Sequence, residues 1–307
     1  MILNWAANAI ALTLLPFLLL GVVNRIKSLW SGRKGPPILQ PAHDLIRLFR
    51  KSPVYSTTTT WVFRLGPYIL LATSVLSAVI VPMLGSRPML SFQFDFVWLA
   101  YLWSLGRMAI MLAALDTGSS FEGMGTAREA TFSILLEPVL FLVLGALAMH
   151  SERFSLNEAL HLRPSDGESF FLWTTSLFAL LIMLQVEVAR MPVDDPTTHL
   201  ELTMIHEVMI LDHSGLELAV IQWGSAIKFF LGTSIIAALL NPLAGTASHA
   251  TAILHVALCL LLAVLIGTVE SLVARLRLAI IPRYIAFGLA AAALALTATL
   301  WRAQGAP

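Results

Sequence analysis

The chain has 307 residues, of which 58% are hydrophobic and only 12% charged, with a mean hydropathy of +0.82. A soluble domain carries about a quarter charged residues, so water alone is excluded as its surroundings, and lipid must solvate much of its apolar surface. The net charge of +1 says little about partners, and no nucleic-acid partner is expected. The lone cysteine, Cys259, excludes an intrachain disulfide or a thiolate metal cluster.

A bilayer crossing needs about 20 mostly apolar residues. The apolar runs predict eight spans, near Ile2–Val23, Gly66–Leu84, Phe96–Leu115, Thr131–His150, Phe170–Val188, Leu218–Leu240, Thr251–Val269 and Ile281–Trp301. The first charge, Arg25, follows the first run rather than preceding it, which suits a retained span with its N-terminus outside. The loop after it is rich in Arg and Lys (Arg25, Lys27, Arg33, Lys34, Arg47, Arg50, Lys51 and Arg64), which predicts a cytoplasmic loop. Within it, Ala42–Lys51 places Leu45, Ile46, Leu48 and Phe49 on a broad apolar face, the pattern of a helix lying in the membrane interface. The expected fold is therefore all-α: a polytopic transmembrane helical bundle of about eight spans with a cytoplasmic interfacial helix. Residues 1–307 form one membrane domain, with both termini outside.

Charged side chains at membrane depth are costly and face a bundle interior or a wet cavity. Arg107 falls in the third span and Lys228 in the sixth. Glu137 lies in the fourth, before Pro138, which leaves the Ile134 carbonyl without its helical donor. Glu129 stands eight residues earlier, broadly on the same face. Glu187 ends the fifth span with Arg190 at i+3, and Glu270 ends the seventh. Asp116 and Glu122 lie between spans three and four. Asp194, Glu201 and Asp212 lie between spans five and six, with His199, His206 and His213 among them. An acidic cytoplasmic loop of this kind predicts a folded segment docked under the bundle or against another subunit. Singly, such acids pair with arginines and fix helix packing. As a set they outnumber the intramembrane bases, which favours a proton relay.

Other chemistries find less support. His206-Glu207 lacks the second histidine of a metalloprotease helix. The spacing of His199, Glu201 and His206 is not diagnostic of a metal site. Gly118, Gly123 and Gly125 lack the lysine of a phosphate-binding loop.

The stretch Arg33-Lys34-Gly35-Pro36-Pro37 resembles the Gly-Pro motif of the H-type (subunit 1) membrane protein of respiratory complex I. So does the fifth loop, with Glu187, Arg190-Met191-Pro192-Val193-Asp194, Glu201-Leu202 and Asp212-His213-Ser214-Gly215 in order. Leu115-Asp116-Thr117-Gly118-Ser119, Ala127-Arg128-Glu129-Ala130, Glu137-Pro138 and Ala274-Arg275-Leu276-Arg277-Leu278 are similar to the hydrogenase branch of that family, the membrane subunits of formate hydrogenlyase and hydrogenase-4 complexes. Val193, Thr197, His199 and His213 depart from the family pattern, all in the fifth loop.

The resemblance implies a non-catalytic membrane subunit of an oxidoreductase complex in a bacterial or archaeal cytoplasmic (inner) membrane. It would anchor a soluble redox arm and couple electron transfer to proton or sodium movement. A nickel–iron centre and iron–sulfur clusters would sit on a hydrogenase-like large subunit and an iron–sulfur small subunit, with no cofactor in this chain. Antiporter-like membrane subunits would lie alongside. The implied ion path comprises Asp116, Glu122, Glu129, Glu137, Glu187, Asp194, Glu201, Asp212 and Glu270, with Arg107, Arg128, Arg190 and Lys228 as charge partners. Arg33, Lys34 and Gly35 would hold the dock. A quinone-reducing complex I subunit is the nearest rival. A stand-alone secondary transporter is the rival of another class, but it predicts repeated halves with broken helices, and no such repeat is found.

Overall fold

A computed structural model describes residues 2–85, 87–194, 204–246 and 248–305. Among these residues there are eleven helices and no strand. They are α1 (Ile2–Trp30), α2 (Gln40–Phe49), α3 (Trp61–Ile80), α4 (Asp95–Asp116), α5 (Ser120–Ser151), α6 (Leu156–Ala159), α7 (Gly167–Glu187), α8 (His206–Met209), α9 (Gly215–Leu240), α10 (His249–Leu272) and α11 (Ile281–Gly305). Eight of these are long and apolar enough to cross a membrane, in the order expected from the apolar runs. The fold is a multi-pass helical bundle.

Helix α9 is apolar on every side, so only a bundle centre can bury it. It is lined by α1, α2, α3, α7 and α10. Around it, α3 packs on α4, α1 on α10, and α11 on both α5 and α7. The α3–α4 contact is close because it runs through small residues. A methyl group on Gly66 would stand 2.9 Å from the Ala109 carbonyl oxygen.

The helix ends have local causes. Thr60 accepts a hydrogen bond from the Val62 amide at 3.2 Å and so caps α3. That helix stops at Ile80, because Val81 precedes Pro82 and is pushed out of the helical region. The interfacial helix forms as α2, two residues earlier than expected, with Pro41 in its first turn. Its Leu45 is buried, while Ile46 and Phe49 face outward. The main departure is α5. Its apolar run predicts a start near Thr131, yet it begins at Ser120 and runs 32 residues. At 1.5 Å per residue that is about 48 Å, well beyond a hydrocarbon core of about 30 Å. The extra turns carry Glu122 and Glu129, expected in a loop, on a rigid helix.

One end of the bundle, the loop-rich end, gathers the segments after α1, α4, α7 and α10, together with α2 and α8. The start of α1 and the end of α11 lie on the opposite side, as eight crossings require.

Candidate functional site

Arg107, midway along α4, is buried among three carboxylates. Its Nη2 lies 3.1 Å from Glu187 on α7 and 3.9 Å from Glu137 on α5, and its Nε lies 4.0 Å from Glu129 on α5. Lys228 on α9 donates to Glu187 at 2.5 Å and stands 5.7 Å from the centre of the Trp103 ring. Ser104, one turn before Arg107, donates to Glu137 at 2.8 Å. The two α5 acids, two turns apart, thus converge on one cation, as their shared helix face predicts. When all are ionised, three carboxylates face two cations. One proton makes the set neutral.

The three acids are not equally held. Glu187 is gripped by both cations and is almost fully buried. Glu129 meets the Arg107 guanidinium only at 4.0 Å. The Glu137 side chain is 43% exposed on the outside of the bundle at membrane depth, where lipid alone could not solvate a charge.

A cavity of about 540 Å³ opens on one side of this cluster. Arg107, Glu129, Glu187 and Lys228 line its membrane-facing part, Phe17, Leu20, Leu45 and Leu48 form apolar wall from α1 and α2, and Arg190, His206 and Glu207 line it from the loop-rich end. On the other side of Arg107, a void of about 10 Å³ is lined by Trp103, Ser104, Glu137 and Glu187, close to the space one water occupies. Arg107 and Glu187 line both spaces, so they form the partition between the cavity and Glu137.

The other residues singled out in the sequence lie nearer the loop-rich end. Asp116 accepts from the Thr60 amide at 2.6 Å, the Thr60 hydroxyl and the Phe63 amide at 3.2 Å, so it ties α4 to the start of α3. Glu122 is buried and hydrogen-bonded to the Thr117 hydroxyl, within electrostatic reach of the exposed Asp212. Asp194 accepts from the Ile205 and His206 amides at 3.1 and 3.0 Å and from Arg275 at 2.7 Å. Glu270 pairs with Lys27 at 3.0 Å and Arg190 at 3.4 Å. The i+3 spacing predicts Arg190 beside Glu187, but Ala189 turns the chain with a φ of +48°, which carries Arg190 off the helix face. Arg128 donates to the Met204 carbonyl at 2.8 Å. Arg33 and Lys34 are exposed, and Arg25 donates to the Lys34 and Gly35 carbonyls, stapling that turn to α1. Glu201, with Thr197 and His199, lies outside the described residues.

The acidic fifth loop is folded where it is described. Helix α8 lies against α5 at Gly125, where a methyl group would meet Val208 and stand 3.0 Å from the Ile205 carbonyl oxygen. Burial depresses His206 below its ordinary range, against the opposing pull of the Glu207 and Asp194 carboxylates. Burial raises Glu207. His213, packed edge-on at 4.0 Å from Phe63, is pushed down by burial to about 4.

Sequence reasoning missed four contributors. Ser104 could have been found from its i−3 spacing to Arg107. Lys27 stood out only as an orientation charge and Arg275 only within a family motif, although they pair with Glu270 and Asp194. His206 stood out as a candidate metal ligand and as one of the histidines among the fifth-loop acids, not as a residue of the cavity wall.

Fold and site together define a polytopic all-helical membrane protein with a buried acid–base cluster reached from a cavity at one end. The family model described as NADH dehydrogenase matches residues 4–300, and the chain belongs to that family. It is 30% identical to hydrogenase-4 component C of Escherichia coli over 301 residues, covering 94% of this chain and 93% of the relative. It is 27% identical to formate hydrogenlyase subunit 4 of the same organism over 280 residues, covering 87% and 88%. The H-type subunit of the NADH-quinone oxidoreductase of Methylococcus capsulatus is 25% identical over 230 residues, 72% of this chain and 71% of that one. The fold is similar to a chain in the structure of the membrane-bound sulfane sulfur reductase, an archaeal respiratory membrane complex, with a TM-score of 0.78 and 18% identity, covering 94% and 96%.

Proposed function

We propose that this chain is the membrane subunit of a hydrogenase-4- or formate-hydrogenlyase-like complex, anchoring a soluble redox arm and coupling its electron transfer to proton movement. The observation that carries the reading is the Arg107 cluster: three carboxylates share two cations, with a large cavity on one side and a half-exposed acid on the other. Protons enter from the cavity, bind Glu129, and pass Arg107 to Glu137. The loop-rich end faces the cytoplasm, a placement supported by the basic first loop. There Arg33, Lys34 and Gly35, with α2 and α8, receive the hydrogenase-like large subunit and the iron–sulfur small subunit. Nickel–iron and iron–sulfur chemistry belongs to those partners, since the one cysteine here is a buried membrane residue. The exposed carboxyl of Glu137 marks the α4–α5 face as the side covered by an antiporter-like subunit, which must offer it a polar partner.

The test is redox-driven proton uptake by inverted vesicles carrying the whole complex. Glu129→Gln and Glu137→Gln should each leave the complex assembled and cut proton uptake per electron by roughly tenfold or more. Wild-type uptake in both variants refutes the path. A second reading, quinone reduction, is favoured by the apolar cavity wall from α1 and α2. Quinone-dependent turnover by the purified complex, without hydrogen evolution, would select it.

A further inference from the structure

Among the described residues, His206 is the one imidazole that lines the cavity. Its backbone is held unusually firmly for a helix of four residues. The Asp194 carboxylate accepts its amide at 3.0 Å and is itself held by Arg275 at 2.7 Å. Arg128 on α5 grips the neighbouring Met204 carbonyl at 2.8 Å. Gly125 lets α8 approach α5 more closely than any side chain would allow. The ring, by contrast, makes no hydrogen bond among the described residues and faces the cavity.

The surroundings of the ring are charged on every side. Glu207 lies on its own turn, with Asp194 and Arg190 in the loop before it. Glu187 on α7 and Lys228 on α9 lie within its electrostatic reach, and Glu129 on α5 lines the same cavity. Arg107 on α4, Asp44 and Arg47 on α2, and Lys51 line the same cavity.

Resting on the proton-path reading above, we propose that His206 is the relay base that takes protons from the cavity and delivers them to Glu129. A neutral imidazole accepts a proton on one ring nitrogen and releases one from the other, so the ring ends each cycle neutral. The proton comes from water or hydronium in the cavity and ends on the Glu129 carboxylate. Glu129 is the acceptor because it lines the cavity and is loosely paired, at 4.0 Å from Arg107. Glu187 is already gripped at 3.1 and 2.5 Å by two cations, and Glu137 does not line the cavity. The depression of His206 by burial keeps the ring neutral, and therefore able to accept, at neutral pH. The anchors on its backbone fix where the ring swings without restraining the ring itself.

The experiment measures proton uptake per electron in inverted vesicles bearing the whole complex, across pH, for His206→Gln, His206→Ala and Glu129→Gln. His206→Gln and His206→Ala should lose about tenfold or more of wild-type uptake. Added imidazole, small enough for the cavity, should restore His206→Ala but not Glu129→Gln. In His206→Gln the dependence on a group titrating below the ordinary imidazole range should vanish from the pH profile, and this readout carries the test if His206→Ala fails to assemble. Wild-type uptake in His206→Gln beside a loss in Glu129→Gln overturns the relay and leaves the path standing. Wild-type uptake in both overturns path and relay together. Reduced uptake with an unchanged pH profile, or no rescue by imidazole, assigns His206 to packing and overturns the proposal.

Discussion

Replacing Arg107 with Met removes the cation that three carboxylates share. Its strongest contact is to Glu187 at 3.1 Å. At an effective dielectric constant of about 20 that pair is worth roughly 5 kcal/mol before desolvation. The contacts to Glu129 and Glu137, at 4.0 and 3.9 Å, would each be worth about 4 kcal/mol on the same scale. The Glu137 contact is discounted further, because that side chain is 43% exposed. Desolvation of the buried guanidinium offsets several kcal/mol, which leaves a net loss of about 3–5 kcal/mol for breaking the buried set. Three carboxylates would then face Lys228 alone. Arg107→Met should therefore lower the thermal inactivation midpoint of the detergent-purified complex. Adding Glu129→Gln should recover part of the loss, because Glu129 has lost its ion pair with Arg107 while Glu187 keeps Lys228. Proton uptake should stay lost in both variants. A single variant as stable as wild type, or a double variant no better than the single, would refute this account of the cluster.

Two further outcomes follow from the geometry at the loop-rich end. His213 is buried with a folded value of about 4 against an ordinary 6.5, so the unfolded chain binds the extra proton between these values. Stability should fall as pH drops from about 6.5 to about 4, by roughly 3 kcal/mol, and level off below; His213→Phe should flatten that limb in thermal inactivation measured against pH, and an unchanged limb would exclude His213 as its source. Gly125→Val must push α8 off α5, at a cost of about 1–3 kcal/mol for overpacking. Limited proteolysis should then cut near residues 204–214 faster than in wild type, whereas equal rates would show that α8 does not depend on this contact.

The sequence by itself determined the solvent, the number of crossings and the identity of the costly charges. Long apolar runs admit one reading when only a helix can satisfy its backbone inside lipid. Arg107, Lys228, Glu137 and Glu187 stand out in them because the other charge in the apolar runs, Arg283, lies at the very start of the last one. Periodicity also put Glu129 and Glu137 on one face of α5, and the structure brings both to Arg107. It could not extend α5 back to Ser120, because those turns protrude beyond the apolar run and carry no hydropathy signal.

Only the tertiary structure decided which charges meet. Glu187 pairs with Lys228, 41 residues away, and with Arg107, 80 residues away, rather than with Arg190, three residues on. That choice depends on the turn at Ala189 and on helix neighbours far apart in the chain. The same holds for Glu270 with Lys27 and for Asp194 with Arg275. The cavity and the place of His206 beside it exist only once α1, α2, α5, α8 and α9 are assembled. Local sequence sets which residues must be buried, whereas packing sets which buried charges can exchange a proton.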